Sequence, residues 1–320
     1  MRMQHITRRN ALRRAGLIAS AALAAPQFAS TTTSAAEEKS AAGGGFRFCL
    51  NTGTIRGQKL GLLKEIEVAA KAGYHAIEPW IESIDQYAKS GGSLKDLKQR
   101  VADLGLVVES AIGFPEWIVD DEAKRAAGFE RAKREMDLVA QLGGKRMAAP
   151  PVGATNQPGL DLMKAAERYR ALLEVGDSLG VVPELELWGH SKNIRLLSEA
   201  AFVALQSGHP KACVLADVFH LYKGGSELAG LRLLRANALP IFHMNDYPAD
   251  PPRDKINDSY RVFPGDGVAP LTQILRDLRS GGGPTVLSLE LFNREYWKQD
   301  AADVAKAGLE KLKAAVAKAA

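Results

Sequence analysis

Hydrophobic positions along the 320-residue chain fall into two alternating rhythms from Phe46 onward. Short, apolar, β-branched runs occur at Phe46 to Asn51, His75 to Trp80, Leu106 to Ile112, Lys145 to Ala149, Val181 to Leu187, Ala212 to Asp217, Pro240 to Asn245 and Thr285 to Leu291. Between them, apolar residues recur every three or four positions, as in Leu62, Leu63, Ile66, Ala69 and Ala70. Runs of the first kind read as buried strands and stretches of the second as amphipathic helices, so the chain is built from repeated βα units. Gly73, Gly105, Gly143 and Gly180 stand where helices must stop and turn into the next strand. Eight such units predict an α/β fold, a single-domain (β/α)8 TIM barrel. An open doubly wound sheet would more often carry a glycine-rich phosphate loop after its first strand, and Asn51-Thr52-Gly53-Thr54 is not one.

The amino-terminus departs from this pattern. Residues 1–36 hold five arginines, no acidic residue and a short apolar run from Ala15 to Ala25. That is the physical signature of a secretory signal, too short for a bilayer span. Thr7-Arg8-Arg9-Asn10-Ala11-Leu12-Arg13 resembles a twin-arginine export signal, which implies a periplasmic protein exported in the folded state. Residues 37–45 read as a flexible linker and 46–320 as the barrel. Setting the leader's arginines aside leaves 37 of the 42 Lys and Arg against 37 Asp and Glu. A neutral mature domain lacks the basic footprint of a nucleic-acid binder. No stable membrane span is expected, and self-association stays open. Cys49 and Cys213 lie on strands that are not neighbours in a barrel, so two buried free thiols are expected.

Four successive strands, five to eight, carry a candidate ligand near the carboxyl end: Glu186, Asp217, His243 and Glu290. Side chains there converge on the mouth of a barrel, where active sites form. Any one strand-end acid is commonly just a cap for the next loop. Three carboxylates together need a compensating cation, because like-charge repulsion and desolvation oppose their burial. Such an oxygen-rich set with one imidazole suits a single Mn²⁺, Mg²⁺ or Co²⁺, with Zn²⁺ or Fe²⁺ also compatible. A ketone oxygen and neighbouring hydroxyl on such an ion acidify the carbon between them, and carboxylates can then take and return its proton.

The segments Leu185-Glu186-Leu187-Trp188-Gly189-His190, Asp217-Val218-Phe219-His220, Phe242-His243-Met244-Asn245-Asp246, Arg261-Val262-Phe263-Pro264-Gly265-Asp266-Gly267 and Ser288-Leu289-Glu290-Leu291-Phe292 resemble the xylose-isomerase-like sugar phosphate isomerase/epimerase superfamily. Within it the likeness is greatest to inosose (keto-inositol) isomerases, and it runs from about Phe46 to about Val316. The resemblance implies one divalent ion on Glu186, Asp217, His243 and Glu290. It also implies that Glu186 and Glu290 act as acid and base on opposite faces of the substrate, and that His220 and Arg261 contact substrate oxygens. Asn293, Arg294 and Asp266 depart from the pattern. The implied activity is isomerisation or epimerisation of a keto-sugar or keto-inositol through a metal-stabilised enediolate. A lyase or dehydratase begins with the same proton abstraction and is the alternative, followed by a non-catalytic carbohydrate-binding barrel. A metal-dependent endonuclease for abasic DNA shares the fold but needs further histidines and a basic face.

His190 either lines the pocket or caps a helix. Trp188, Trp80, Phe114 and Trp117 either wall a ring-shaped substrate or pack in the core. Glu78 and Glu109 either reach the pocket or, as expected here, each sit in an ordinary buried ion pair, and His75 and His209 are expected in surface settings without partners. The long segment Asp246 to Val268 is expected over the mouth, with Arg261 in it.

Overall fold

A computed structural model describes residues 45–320; the expected export signal lies outside the described residues. Eight parallel strands run β1 (Phe46–Asn51), β2 (Ala76–Glu78), β3 (Val107–Val108), β4 (Arg146–Ala149), β5 (Val182–Glu186), β6 (Val214–Asp217), β7 (Ile241–Met244) and β8 (Thr285–Leu289). They pair in the order β3-β2-β1-β8-β7-β6-β5-β4. Beyond β3 the chain continues alongside β4, where Ala111 N donates to Arg146 O at 3.2 Å and Ala148 N to Ala111 O at 2.9 Å. These bonds close the ring as a TIM barrel. β2 and β3 are shorter than the apolar runs that announce them, since Pro79 cannot donate to a ladder.

Helices α1 (Leu62–Ala72), α2 (Ile81–Lys89), α3 (Leu94–Asp103), α4 (Glu122–Leu142), α5 (Leu162–Leu179), α6 (Leu197–Gln206), α7 (Val218–Gly224), α8 (Leu271–Ser280) and α9 (Ala301–Lys318) connect the strands. The β2–β3 connection holds two of them, one more than the eight expected. Asp121, Asp161 and Asp300 cap α4, α5 and α9 by accepting backbone N–H bonds. Gly143 ends α4 at φ 89°, a left-handed conformation that costs glycine little. Among the described residues no helix is long and apolar enough to cross a membrane.

Strand periodicity dictates the barrel's interior. Cys49, Ala76, Ala148, Leu215, Ile241 and Val286 form a small apolar layer inside it. Two residues further along the same strands, hence on the same face, stand Asn51, Glu78, Asp217, His243 and Ser288. Two residues earlier on β1 and β4, Arg47 and Arg146 pair with Glu109, as expected of an ordinary ion pair. The barrel is thus apolar in the middle and polar at both ends. Cys49 and Cys213 are buried free thiols.

One buried acid lies outside this scheme. Glu65 on α1 is 4% exposed, and its Oε2 has no hydrogen-bond partner. Burial raises its pKa to about 7, against the opposing pull of Arg56. From about pH 4.5 to 7 the folded state therefore keeps a proton that the unfolded chain releases, so this residue lowers stability as pH rises. Glu65→Gln is expected to gain about 1 to 3 kcal/mol over wild type at pH 8 and little at pH 4.5 in denaturant titrations. An equal difference at both pH values would refute it.

Candidate active site

Asp217, His243 and Glu290, at the carboxyl ends of β6, β7 and β8, bring one ligand atom each to within 4.8 Å of one another. All are buried. Asp217 does two things at once: Oδ1 accepts from His220 N at 2.9 Å as the amino-terminal cap of α7, while Oδ2 turns into the cluster. Asn245 fixes that orientation, donating to Asp217 Oδ2 at 2.9 Å and accepting from Phe219 N at 2.9 Å. His243 places Nδ1 3.1 Å from Glu290 Oε2 and 3.9 Å from Asp217 Oδ2, without the alignment of a hydrogen bond.

A buried ring nitrogen without a hydrogen bond beside two carboxylate oxygens fits a divalent cation, whose ligands must offer lone pairs. Burial alone would depress the imidazole's pKa, but the carboxylates of Glu290 and Glu78 hold it well above its ordinary value. Those carboxylates attract positive charge wherever it sits.

Glu186 is buried at the end of β5, at the same mouth of the barrel but outside the three-donor cluster. Burial raises its pKa, helped by the charges of Glu290 and Asp217, though His243 and the Trp188 side chain oppose the shift. Glu290 goes the other way: burial would raise it, yet His243 and Arg261 hold it below the usual carboxylate range. Two neighbouring carboxyls are therefore driven toward opposite protonation states, a pattern typical of acid and base partners.

Arg261 is fully buried, so its position differs from that of a loop side chain reaching into an open mouth. Nη1 donates to Asp217 Oδ2 at 2.8 Å and Glu290 Oε2 at 2.9 Å. Nη2 donates to Asp258 Oδ1 at 2.6 Å and lies 3.2 Å from His220 Nε2. The guanidinium lies between the rings of Phe219 and Phe292, at 4.9 and 5.1 Å. The ion pair with Asp258 is one part of a buried network. His220 is itself buried, which lowers its pKa to about 4 and keeps its Nε2 lone pair available to Arg261.

Aromatic rings line the mouth. Trp80 meets Phe114 at 5.2 Å and Phe292 at 6.0 Å, Phe114 meets Trp188 at 6.1 Å, and Trp188 stacks on His190 at 5.2 Å. His190 in turn lies 5.8 Å from His220, so it lines the mouth and caps no helix. Trp117 is not part of this wall: it is fully buried against Tyr169 and donates to Pro150 O. His75 and His209 are not isolated either. His75 Nδ1 accepts from Phe48 N at 3.0 Å, and His209 Nε2 lies 3.2 Å from Asp177. A cavity of about 610 Å³ is lined in part by Trp80 and Phe114 and one of about 700 Å³ in part by His190, and neither is lined by Asp217, His243 or Glu290.

Sequence reading favoured an ion pair for Glu78 over a place in the pocket, and gave Asn51 and Phe292 no role. Glu109 pairs with arginines as expected, but Glu78 reaches the site: its Oε2 faces His243 Nε2 at 3.0 Å. The signal available was position, since Glu78 follows inward-facing Ala76 by two residues, just as His243 follows Ile241.

A family model for the xylose isomerase-like TIM barrel matches residues 66–315. The chain is 27% identical over 278 residues to an inosose isomerase of Bacillus velezensis, covering 85% of this chain and 98% of that one. It is 24% identical over 248 residues to a 3-dehydroshikimate dehydratase of Pseudomonas putida, covering 76% of this chain and 38% of that protein. The crystal structure of IOLI protein with a bound zinc atom superposes with a TM-score of 0.78 at 23% identity, covering 86% of this chain and 99% of that one. Both sequence relatives carry the names of enzymes. The chain is an enzyme and belongs to the xylose isomerase-like TIM barrel family.

Proposed function

We propose that the protein is a divalent-metal-dependent isomerase or epimerase that acts on a keto-inositol or keto-sugar. The observation that carries this reading is the buried convergence of Asp217, His243 and Glu290, with a ring nitrogen unpartnered between two carboxylates. These three would hold the ion, with Glu186 as a fourth donor when ionised; Mn²⁺, Mg²⁺ and Co²⁺ suit the set, and Zn²⁺ or Fe²⁺ is compatible. A bound ion would supply Lewis acidity toward a carbonyl oxygen and its neighbouring hydroxyl.

The rest of the chemistry falls to the chain. Glu290, held ionised by His243 and Arg261, accepts the proton from the carbon beside the carbonyl. Glu186, kept protonated by burial, returns one. Arg261 and His220 steady negative charge on substrate oxygens, and the rings of Trp80, Phe114, Trp188 and Phe292 cover an apolar ring face and exclude water.

The test is a panel of inososes and keto-sugars incubated with metal-loaded enzyme in D₂O. Deuterium entering the carbon next to the carbonyl, with an isomer or epimer as product, supports the reading. Absence of exchange from every substrate, with full metal occupancy, would overturn it. Similarity to a dehydratase favours a second reading, elimination after the same proton abstraction. NMR detection of an unsaturated product separates the two.

We further propose that the protein is exported folded to the periplasm by the twin-arginine route, on the strength of Arg8-Arg9 and the weak apolar run after them. Changing both arginines to lysine is expected to retain the protein in the cytoplasm. Undiminished periplasmic yield would remove the claim.

A further inference from the structure

Glu78 gathers donors from three strands onto a single oxygen. Its Oε2 accepts from Asn51 Nδ2 of β1 at 2.9 Å and Ser288 Oγ of β8 at 2.7 Å, and it faces His243 Nε2 of β7 at 3.0 Å. Its other oxygen, Oε1, is buried without any hydrogen-bond partner. A carboxylate kept only for stability would be expected to share its partners between both oxygens, because an unpaired buried acceptor carries a desolvation penalty. Here one oxygen is triply engaged and the other left bare, so the geometry serves Oε2 and what it holds.

What it holds is the imidazole. With the proton of His243 on Nε2 toward Glu78, the lone pair of Nδ1 points to Glu290 and Asp217. Asn51 extends the brace, since its Nδ2 also donates to Glu290 Oε1 at 3.0 Å and so links Glu78 to a second cluster member. A carboxylate behind a ligating histidine fixes the ring's tautomer and plane and raises its basicity.

We propose that Glu78 is the positioning residue for His243 and sets the affinity of the cluster for its divalent ion, an inference that rests on the metal-dependent reading above. The experiment measures the Kd of the full chain for Co²⁺ and Mn²⁺ by competition with a chromogenic chelator, together with the visible absorption of the Co²⁺ form. Glu78→Ala and Glu78→Asp are expected to bind about 10- to 100-fold more weakly than wild type. The aspartate keeps the charge but falls short of the ring. Glu78→Gln, which keeps an acceptor of the same reach, is expected to lie between them and wild type. Its near-identical shape keeps the test open should the shorter side chains fail to fold.

A purely structural role would lower the Tm of the metal-free variants yet leave the Kd of the folded protein and the Co²⁺ spectrum unchanged. That result, with wild type binding normally, overturns this inference alone. Wild-type protein that takes up no metal overturns the metal-dependent reading and this inference with it.

Discussion

Glu186→Gln is expected to lower kcat by about 10² to 10⁴ while most of the metal stays bound, whereas Glu290→Gln is expected to lose both turnover and metal. The asymmetry comes from the geometry. Glu290 is one of three groups whose donor atoms lie within 4.8 Å of each other, and Glu186 is not. Glutamine at 290 also removes the charge that pairs with Arg261 Nη1 and stands 3.1 Å from His243 Nδ1. Steady-state kinetics and elemental analysis on the same preparations make the comparison. Wild-type kcat in Glu186→Gln would remove it from proton transfer, and full metal content in Glu290→Gln would remove Glu290 from the ligand set.

Arg261→Ala is expected to act on rate and stability together. As a fixed donor to negative charge it is worth about 10² or more in kcat/KM, since one well-placed donor contributes about 2.7 to 4 kcal/mol in a transition state. As a buried cation it compensates Asp217, Glu290 and Asp258, and removing one partner of a buried pair typically costs about 3 to 5 kcal/mol. A divalent ion restores positive charge to the same carboxylates. The Tm of the variant should therefore rise more on metal addition than that of wild type, and metal content should not fall. Arg261→Lys cannot reproduce the fork that reaches Asp217 and Glu290 through one nitrogen and Asp258 through the other. Kinetics and melting curves matching wild type in Arg261→Ala would overturn both roles.

The architecture could be read from the chain because two periods, strand and helix, alternate in it eight times, and because glycines punctuate the helix ends. Strand ends were less legible: Leu106 to Ile112 reads as one run, but only Val107–Val108 form a regular ladder with β2, after which Ala111 bonds to β4 and Ile112 bridges back to Trp80. Asp217, His243 and Glu290 were legible as polar residues closing apolar runs. Glu78 was not read the same way, although it too ends a strand, because one acid in a short run is equally at home in an ion pair such as Glu109 makes with Arg47. Which acid faces inward depends on register, and register is settled by neighbours far away in sequence. The burial of Arg261 depends likewise on a turn of the mouth loop that no local pattern announces.

That loop owes its shape to Asp246. The side chain is buried and accepts four backbone N–H bonds: from Tyr247 and Ala269 on Oδ1, at 2.8 and 2.9 Å, and from Gly265 and Gly267 on Oδ2, at 3.0 and 3.1 Å. Its backbone also bridges to Val262, next to Arg261. The chain between residues 261 and 269 is thus anchored to one carboxylate, while residues 252–255 and 257 are exposed. For a laboratory or a lineage varying this enzyme, the two stretches offer unequal freedom. Insertions and exchanges near 252–255 can reshape the approach to the mouth and the range of molecules admitted. Arg261, tied to the clamp by way of Val262, stays in register with Asp217 and Glu290 throughout.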